Sequence, residues 1–398
     1  MKNKTMLPTL DYLLLPATFS ILLCFVFAFG CCVGSYLNVV IYRLPLGMKT
    51  SEPRRSFCPS CKYQIPMWHN IPLVSWLLLR GKCANCSKPI SSRYLFVELI
   101  TGVLFVAAFV RLGRGPEDFY QGFDWTMLAA WCFIALCIAG SYIDIDHQIL
   151  PHEITWGGAV AGVVAAVSIP KLIVLDTRWM NLAHSIGGAG LGFAIIWVIV
   201  QLGKMAFGRI KFQFDKAEDW SVSQEPGAEE PIFKVADQRE GYSNIFSRPS
   251  DRLMIKCLSA RLGERSVENA TLFLTNDSVI IRPAEGPEET LPLEGITSMS
   301  GTCTAVEQPR EAMGMGDANW MACVGAFMGY KAVLFTIFAG SCIGALISLS
   351  MIVLRRREWA ARIPFGPYLA AGALIWLFSG PRILEWYLSL AGPRLEAE

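Results

Sequence analysis

Two aspartates far apart in the chain stand at the ends of apolar runs. Asp144 closes one run in SYIDIDHQILP, and Asp317 opens another in MGMGDANW. Charge in or beside a bilayer is costly, so an ionisable residue there points to function. Two carboxylates that converge can share one proton and activate a water, which is acid–base hydrolytic chemistry. The structural alternative is a pair of solvated helix caps, because Asp is a good N-cap and Gly-Asp can open a helix.

A second cluster is built from sulfur. Four of the 13 cysteines form two knuckles, Cys58-Pro-Ser-Cys61 and Cys83-Ala-Asn-Cys86. The C-x-x-C spacing lets both thiolates of a knuckle reach one ion, so the pair reads as a structural tetrathiolate zinc site. Lys62, Lys82 and Lys88 would offset the thiolate charge. Disulfides or redox pairs are the alternatives, and a cytoplasmic loop argues against stable disulfides. Cys24, Cys31, Cys32, Cys132, Cys137, Cys323 and Cys342 lie in apolar runs and read as small core residues.

The elements that must position these groups are membrane helices. The chain has 398 residues, 53% hydrophobic and 17% charged, with mean hydropathy +0.40. A net charge of +2 gives no case for nucleic-acid binding. Apolar runs at about 17–41, 94–110, 126–143, 155–170, 183–203, 318–330, 332–354 and 366–390 suggest about eight crossings, the 318–330 run being short for one. The first run is too long for a signal-peptide core and has no clear cleavage site, so it reads as a retained helix. The following loop carries Arg43, Lys49, Arg54, Arg55, Lys62, Arg80, Lys82, Lys88 and Arg93 against the single acid Glu52, which places it in the cytoplasm. Alternation then puts Arg355, Arg356 and Arg357 inside, and Lys2 and Lys4 outside as a mild exception. On this topology Asp144 and Asp317 both reach the cytoplasmic face, although neither was used to set it.

Residues 208–313 differ in kind. They hold 18 of the chain's 33 acids against 12 Lys and Arg, a local charge near −6. DKAEDWSVSQEPGAEEPIF reads as an acidic linker. LMIKCL, ATLFLTNDSVIIRP and the stretch around LPLEGITSM read as strands, with Asn276-Asp277 as a hairpin turn. The expectation is a small cytoplasmic β-rich insert that gates the site, binds an unknown partner, or is a tolerated insertion. GGAGLG at 187–192 lies in an apolar span, where small residues mean close helix packing.

The motifs together resemble the type IV prepilin peptidases, the GxGD aspartic proteases also called leader peptidase and N-methyltransferase. The resemblance rests on GSYLNVVIYRLP (34–45), the two knuckles, HNIPLVSWLLLRGKC (69–83), SSRYLFVELITG (91–102), IDIDHQILP (143–151), GMGD (314–317) and GAFMGYKA (325–332). Together with the apolar runs and the insert read above, it gives an all-α polytopic fold with these divisions: first helix 1–42, cytoplasmic zinc-binding loop 43–93 associated by the resemblance with methyl transfer, helices 94–207, insert 208–313, and the GxGD segment with the remaining helices 314–398. The catalytic pair carries over to Asp144 and Asp317. Asp146 is a neighbour of Asp144, and Asp144 is preferred because it stands seven positions before Pro151. Gly314 and Gly316 would let backbone approach the scissile peptide, or adopt positive φ. His152, Asn319 and the insert depart from the family pattern, and bear on substrate detail and regulation.

The resemblance also implies a multi-pass protein of the bacterial inner membrane with its active site at the cytoplasmic face. Its substrates would be prepilins or pseudopilins, cut after a Gly that precedes a hydrophobic segment. It implies S-adenosylmethionine as methyl donor, with no cofactor-binding residue identified. Glu98 is either a candidate for that chemistry or a structural carboxylate near Arg93. The competing readings are an inactive relative serving pilus or secretion assembly as a scaffold, and a transporter with paired carboxylates.

Overall fold

The computed structural model describes residues 8–52, 56–58, 60–112, 125–169, 177–207, 209–224, 230–236, 238–246, 251–263, 265–284, 286–293, 298–309, 314–354 and 364–391. Lys2, Lys4, Arg54, Arg55 and Arg355 to Arg357, used above for orientation, lie outside the described residues. The chain divides into a unit of residues 1–197 with 314–398 and a second of 198–313.

The first unit is helical: α1 (Pro8–Arg43), the short α2 (Val74–Leu78), α3 (Arg93–Leu112), α4 (Trp125–His147), α5 (His152–Ser168) and α6 (Arg178–Phe207). After the second unit, which contains the single-turn α7 (Tyr242–Ile245), come α8 (Met315–Val353) and α9 (Gly366–Ala391). Five of these helices are long and apolar enough to cross a bilayer: Phe19–Leu46, Arg93–Leu112, Trp125–His147, Arg178–Gly203 and Met315–Val353. Ile21, Phe25, Phe338 and Leu346 stay about 70% exposed, an outward apolar surface of the kind that lipid covers.

The runs at 318–330 and 332–354 form one continuous helical element, α8, interrupted at a single residue. Gly329 has φ 76 and ψ −177, outside helical space. A Cβ on Gly192 of α6 would touch the Met321 backbone and lie 3.3 Å from Val333 Cγ2. Twelve residues of straight helix span about 18 Å, so both cannot meet one point unless the chain reverses. α8 is therefore a hairpin of two arms, 315–328 and 330–353, folded at a position only glycine holds without strain. The arms can lie this close to α6 because Gly188 and Gly325 meet backbone to backbone. This is the close packing expected of GGAGLG. Ser185 Oγ locks the joint by donating to the Ala326 carbonyl at 2.7 Å.

The second unit is the expected β-rich insert, and it corrects one expectation about its first part. It is an eight-stranded antiparallel sheet, ordered β3-β2-β1-β8-β4-β5-β6-β7. The strands are β1 (Arg209–Ser223), β2 (Ile232–Val235), β3 (Gln238–Gly241), β4 (Leu253–Leu262), β5 (Arg265–Leu274), β6 (Ser278–Pro283), β7 (Glu289–Pro292) and β8 (Ser298–Pro309). The expected acidic linker is a strand for much of its length, since β1 runs through Asp215–Ser223 between β2 and β8. Its composition misled because the exposed Asp215 and Asp219 hide the alternation that buries Trp220 and Val222, 1% and 5% exposed. Asn276-Asp277 does form the β5–β6 turn, with the Thr275 N–H donating to the Ser278 carbonyl. One core holds Trp220, Ile255, Leu272, Val279, Cys303 and Val306. Trp220→Ala should destabilise this unit by about 3–5 kcal/mol. Limited proteolysis of the full chain should then cut within 209–309 at least about tenfold faster. An unchanged cutting rate there would deny Trp220 its place at the centre.

Candidate active site

Asp144 lies in the last turn of α4 and Asp317 in the first turn of α8. The two helix segments pack antiparallel in a regular register. Phe133 meets Phe327 with ring centroids 5.1 Å apart, and a Cβ on Gly140 would lie 3.7 Å from the Trp320 ring. Each step towards Asp144 along α4 is matched by an equal step back towards Asp317 along α8. Continuing that register brings Asp144 level with Gly316, beside Asp317. Both aspartates are buried, 6% and 8% exposed. The helix-cap alternative fails for Asp144, which no water-facing helix start explains.

A third element completes the pocket. The Gly366 N–H, at the start of α9, donates to Asp144 Oδ2 at 2.9 Å. An unpaired backbone N–H at a helix start favours a negative partner. Leu150 packs between the elements: a Cβ on Gly316 would lie 3.0 Å from Leu150 Cβ, and one on Gly366 3.4 Å from Leu150 Cδ1. Gly316 is thus small because Leu150 approaches it. Gly314 caps α8 at φ −73, ψ 149, so neither glycine of GMGD uses positive φ here. Asp146, two residues from Asp144, instead pairs with the Arg93 guanidinium of α3 at a more exposed position. This separates the two aspartates of IDID: Asp144 bonds the start of α9, and Asp146 pairs with α3.

The four knuckle cysteines also converge. All four sulfurs lie within 4.8 Å of one another, with Cys58–Cys86 at 3.9 Å and Cys61–Cys83 at 4.0 Å. A tetrahedral tetrathiolate site with metal–sulfur bonds of about 2.3 Å needs sulfurs about 3.8 Å apart, so the cluster fits a metal ion. The same turn occurs twice. Lys62 N–H donates to the Cys58 carbonyl and Ser87 N–H to the Cys83 carbonyl, with φ near 58 and 57 at Lys62 and Ser87. Short bridges Phe57–Gln64 and Lys82–Pro89 close each turn. The Tyr63 N–H lowers the Cys61 thiol to about 6, and the Cys86 and Asn85 N–H groups lower Cys83. Cys86 receives the Lys88 N–H, yet desolvation and the neighbouring sulfurs push it up to about 11. Four thiolates cannot accumulate here without a cation.

Glu98 is not held by Arg93. Its Oε2 accepts the Leu73 N–H at 2.7 Å, and it borders a cavity of about 440 Å³ enclosed by α1, α3 and the cysteine loop. The sequence reading missed the Gly366 contact, the Arg93–Asp146 pair and this cavity, because all three join segments distant in the chain.

Comparison with known proteins finds the same two regions. The model of the Bacterial Peptidase A24 N-terminal domain matches residues 28–112, and that of the Type IV leader peptidase family matches 131–214 and 296–349. Most of the β-sheet unit falls between the last two segments. A protein of Dichelobacter nodosus named prepilin leader peptidase/N-methyltransferase is 35% identical over 211 residues, covering 46% of this chain and 68% of its own. Proteins of the same name from Pseudomonas aeruginosa and Aeromonas hydrophila are 27% and 26% identical, covering 97% and 92% of this chain and 99% and 93% of theirs. No solved structure matches the chain.

Proposed function

The chain belongs to the type IV leader peptidase family, and from that premise we propose that it cuts the leader from prepilins or pseudopilins with Asp144 and Asp317. It is a membrane aspartic endopeptidase and an N-methyltransferase of the new N-terminus, as its relatives are named. The observation that carries the catalytic assignment is that Asp144 and Asp317 are both buried at the matched ends of two helices packed antiparallel. Asp144 is the general base: the Gly366 N–H on Oδ2 is a bond that a carboxylate accepts more strongly than an acid. Asp317, with no such donor among the described residues, holds the shared proton. Asp144 takes a proton from water as the water oxygen attacks the scissile carbonyl. Asp317 gives its proton to the carbonyl oxygen. The tetrahedral adduct then collapses: the C–N bond breaks, the amine leaves with the proton Asp144 had taken, and one hydroxyl returns its proton to Asp317 as the carboxyl C=O forms.

The site lies at the cytoplasmic face of the bacterial inner membrane, where a prepilin keeps its hydrophobic helix in lipid and its leader in water. Eight crossings, with the two α8 arms counted separately, put both aspartates at that face, in agreement with the basic loop between α1 and α3. Cys58, Cys61, Cys83 and Cys86 hold a structural zinc ion. S-adenosylmethionine supplies the methyl group.

The test is co-expression with a candidate prepilin and mass measurement of the pilin N-terminus. Loss of the leader plus one methyl in wild type, and neither with Asp317→Asn, is the expected result. Leaders left intact across several prepilins by well-expressed wild type would overturn the reading.

The Gly366 contact gives a sharper prediction. A Cβ at Gly366 would lie 2.7 Å from Asp144 Oδ2 and 3.2 Å from its Cγ. Gly366→Ala must therefore push the carboxylate aside, and should lower cleavage at least about a hundredfold, as a misplacement near 1 Å does. Expression and methylation of a pre-cleaved pilin should persist. Wild-type cleavage in Gly366→Ala would remove α9 from the site.

A further inference from the structure

The cysteine loop carries an apolar stretch that faces away from the protein. Met67, Trp68, Ile71, Val74, Leu77 and Leu78 are each between 46% and 81% exposed. Ser75 of the same stretch is instead buried. Its Oγ accepts the Ile71 N–H at 2.9 Å and donates to the Trp68 carbonyl at 3.1 Å. Trp76 also turns inward, where its Nε1–H donates to the Ile90 carbonyl and ties the stretch to the chain after the second knuckle. A buried serine under an exposed apolar face is the reverse of what a water-facing loop shows.

The depth of this stretch is fixed by α3. Between Arg93 and Arg111 the only charged residue of that helix is Glu98. The helix rises about 27 Å from one arginine to the other, against about 30 Å of hydrocarbon in a bilayer, so the hydrocarbon begins close to Arg93. α1 packs on α3 at this depth: a Cβ on Gly34 would lie 2.7 Å from Glu98 Cα, and one on Gly30 2.8 Å from Gly102 Cα. Glu98 stands about 7.5 Å further in than Arg93. Its Oε2 accepts the Leu73 N–H at 2.7 Å, so Leu73 lies beside the first two turns of α3 and not beyond its end. The backbone meets the demand that such a depth makes. The N–H groups of Ile71, Leu73, Val74, Ser75, Leu77 and Leu79 all donate within the protein, and Pro72 has none to satisfy.

Positive charge borders the apolar face. Arg80 and Lys82 follow it, and Lys62 and Lys88 stand in the two knuckles, all four exposed. Apolar side chains at the depth of the acyl boundary, a tryptophan among them and a basic rim match the surface of an acidic phospholipid leaflet. We propose that residues 67–78 insert into the cytoplasmic leaflet and seat the cysteine loop on acidic phospholipid. Val74, Leu77 and Leu78 lie among the acyl chains, and Arg80 and Lys82 meet the headgroups. The proposal rests on the topology given above and on neither chemical activity. It makes part of the loop between α1 and α3 a membrane element.

The experiment uses the full chain with its zinc, in nanodiscs of phosphatidylethanolamine and phosphatidylglycerol that contain a phospholipid with a diazirine on its acyl chain. After irradiation the labelled peptides are mapped by mass spectrometry. Expected is label on residues 67–78 as well as on α1 and α3. Label on 67–78 should fall at least about threefold when phosphatidylcholine replaces phosphatidylglycerol, and in the double variant Arg80→Gln, Lys82→Gln. Leu78→Glu changes an exposed side chain and should expel the stretch, lowering its label at least about tenfold while label on α1 and zinc content hold. Label on α1 and α3 with none on 67–78 would overturn the proposal. Hydrogen exchange in 67–78 that slows only when a prepilin is added would also overturn it, and would give this face to substrate. Equal labelling in both lipids and in the basic variant would overturn the acidic-lipid assignment. Wild-type labelling decides the matter even if a variant fails to fold. Neither cleavage nor methylation enters the readout, so this proposal and the functional reading fail separately.

Discussion

Asp144→Asn and Asp317→Asn should each reduce prepilin cleavage by about 10³-fold or more while the protein stays in the membrane at wild-type level. General acid–base groups are worth about 10² to 10⁴ each, and here each depends on the other's proton. An amide at either position can neither take a proton from water nor pass one to the carbonyl. Asp146→Asn is the informative contrast. Asp146 is spent on Arg93 at a partly exposed position, and such pairs contribute about 1 kcal/mol or less. Cleavage should drop by less than about tenfold. Leader mass spectra of the three variants separate the cases. Equal loss in Asp144→Asn and Asp146→Asn would sink the assignment of the base, and full cleavage in Asp317→Asn would sink the pair.

Cys58→Ser should have the second large effect. Structural tetrathiolate zinc supplies about 10–16 kcal/mol to the loops it holds. Among the described residues, three backbone hydrogen bonds close each knuckle and the Asn85 amide donating to Cys61 Sγ links them, which is a far weaker tie than a shared ion. Loss of one sulfur should lower bound zinc from about one per chain to a small fraction, open residues 56–90 to trypsin, and leave pilins cut but unmethylated. Elemental analysis and pilin mass read these out. The pH dependence follows from the thiols. Cys61 is lowered to about 6 and is largely thiolate at neutral pH, whereas Cys86 is raised to about 11 and keeps its proton until metal displaces it. Zinc loading should therefore release protons, and zinc affinity should rise with pH between about 6 and 11. A wild-type protein that carries no zinc when purified without chelator would refute the metal assignment.

The sequence made the chemical groups visible and left their partners hidden. Asp144, Asp317 and the four cysteines were legible because a bilayer and a metal each impose a strong local rule, a rare charge in one case and a fixed spacing in the other. Asp144 could be told from Asp146 only through the distance to Pro151; the physical distinction is that α3 sends Arg93 to one of them. Gly366 carried no signal at all. It looks like any glycine opening an apolar run, and its role comes from a contact across 222 positions. Strand β1 was lost to its composition. Six acids in residues 215–233 outweighed the alternation of Trp220 and Val222, and alternation was the better guide. The α8 hairpin was half visible, as two runs abutting near Gly329, but the reversal needs Gly192 of another helix to be seen.

The pairing of β1 with β8 has a consequence for how the helical unit assembles. Arg209 and Pro309 are Cα partners in that ladder, so the sheet ends where it begins. Before the sheet forms, α6 and α8 are joined by a coil of about a hundred residues; afterwards the coil is equivalent to about ten, and the entropy of closure falls by about 2 kcal/mol. Asp317 reaches Asp144 more readily once the polar unit has folded. The sheet thus acts as a clasp, through the length of the tether alone, that shortens the chain between the helices carrying Asp144 and Asp317.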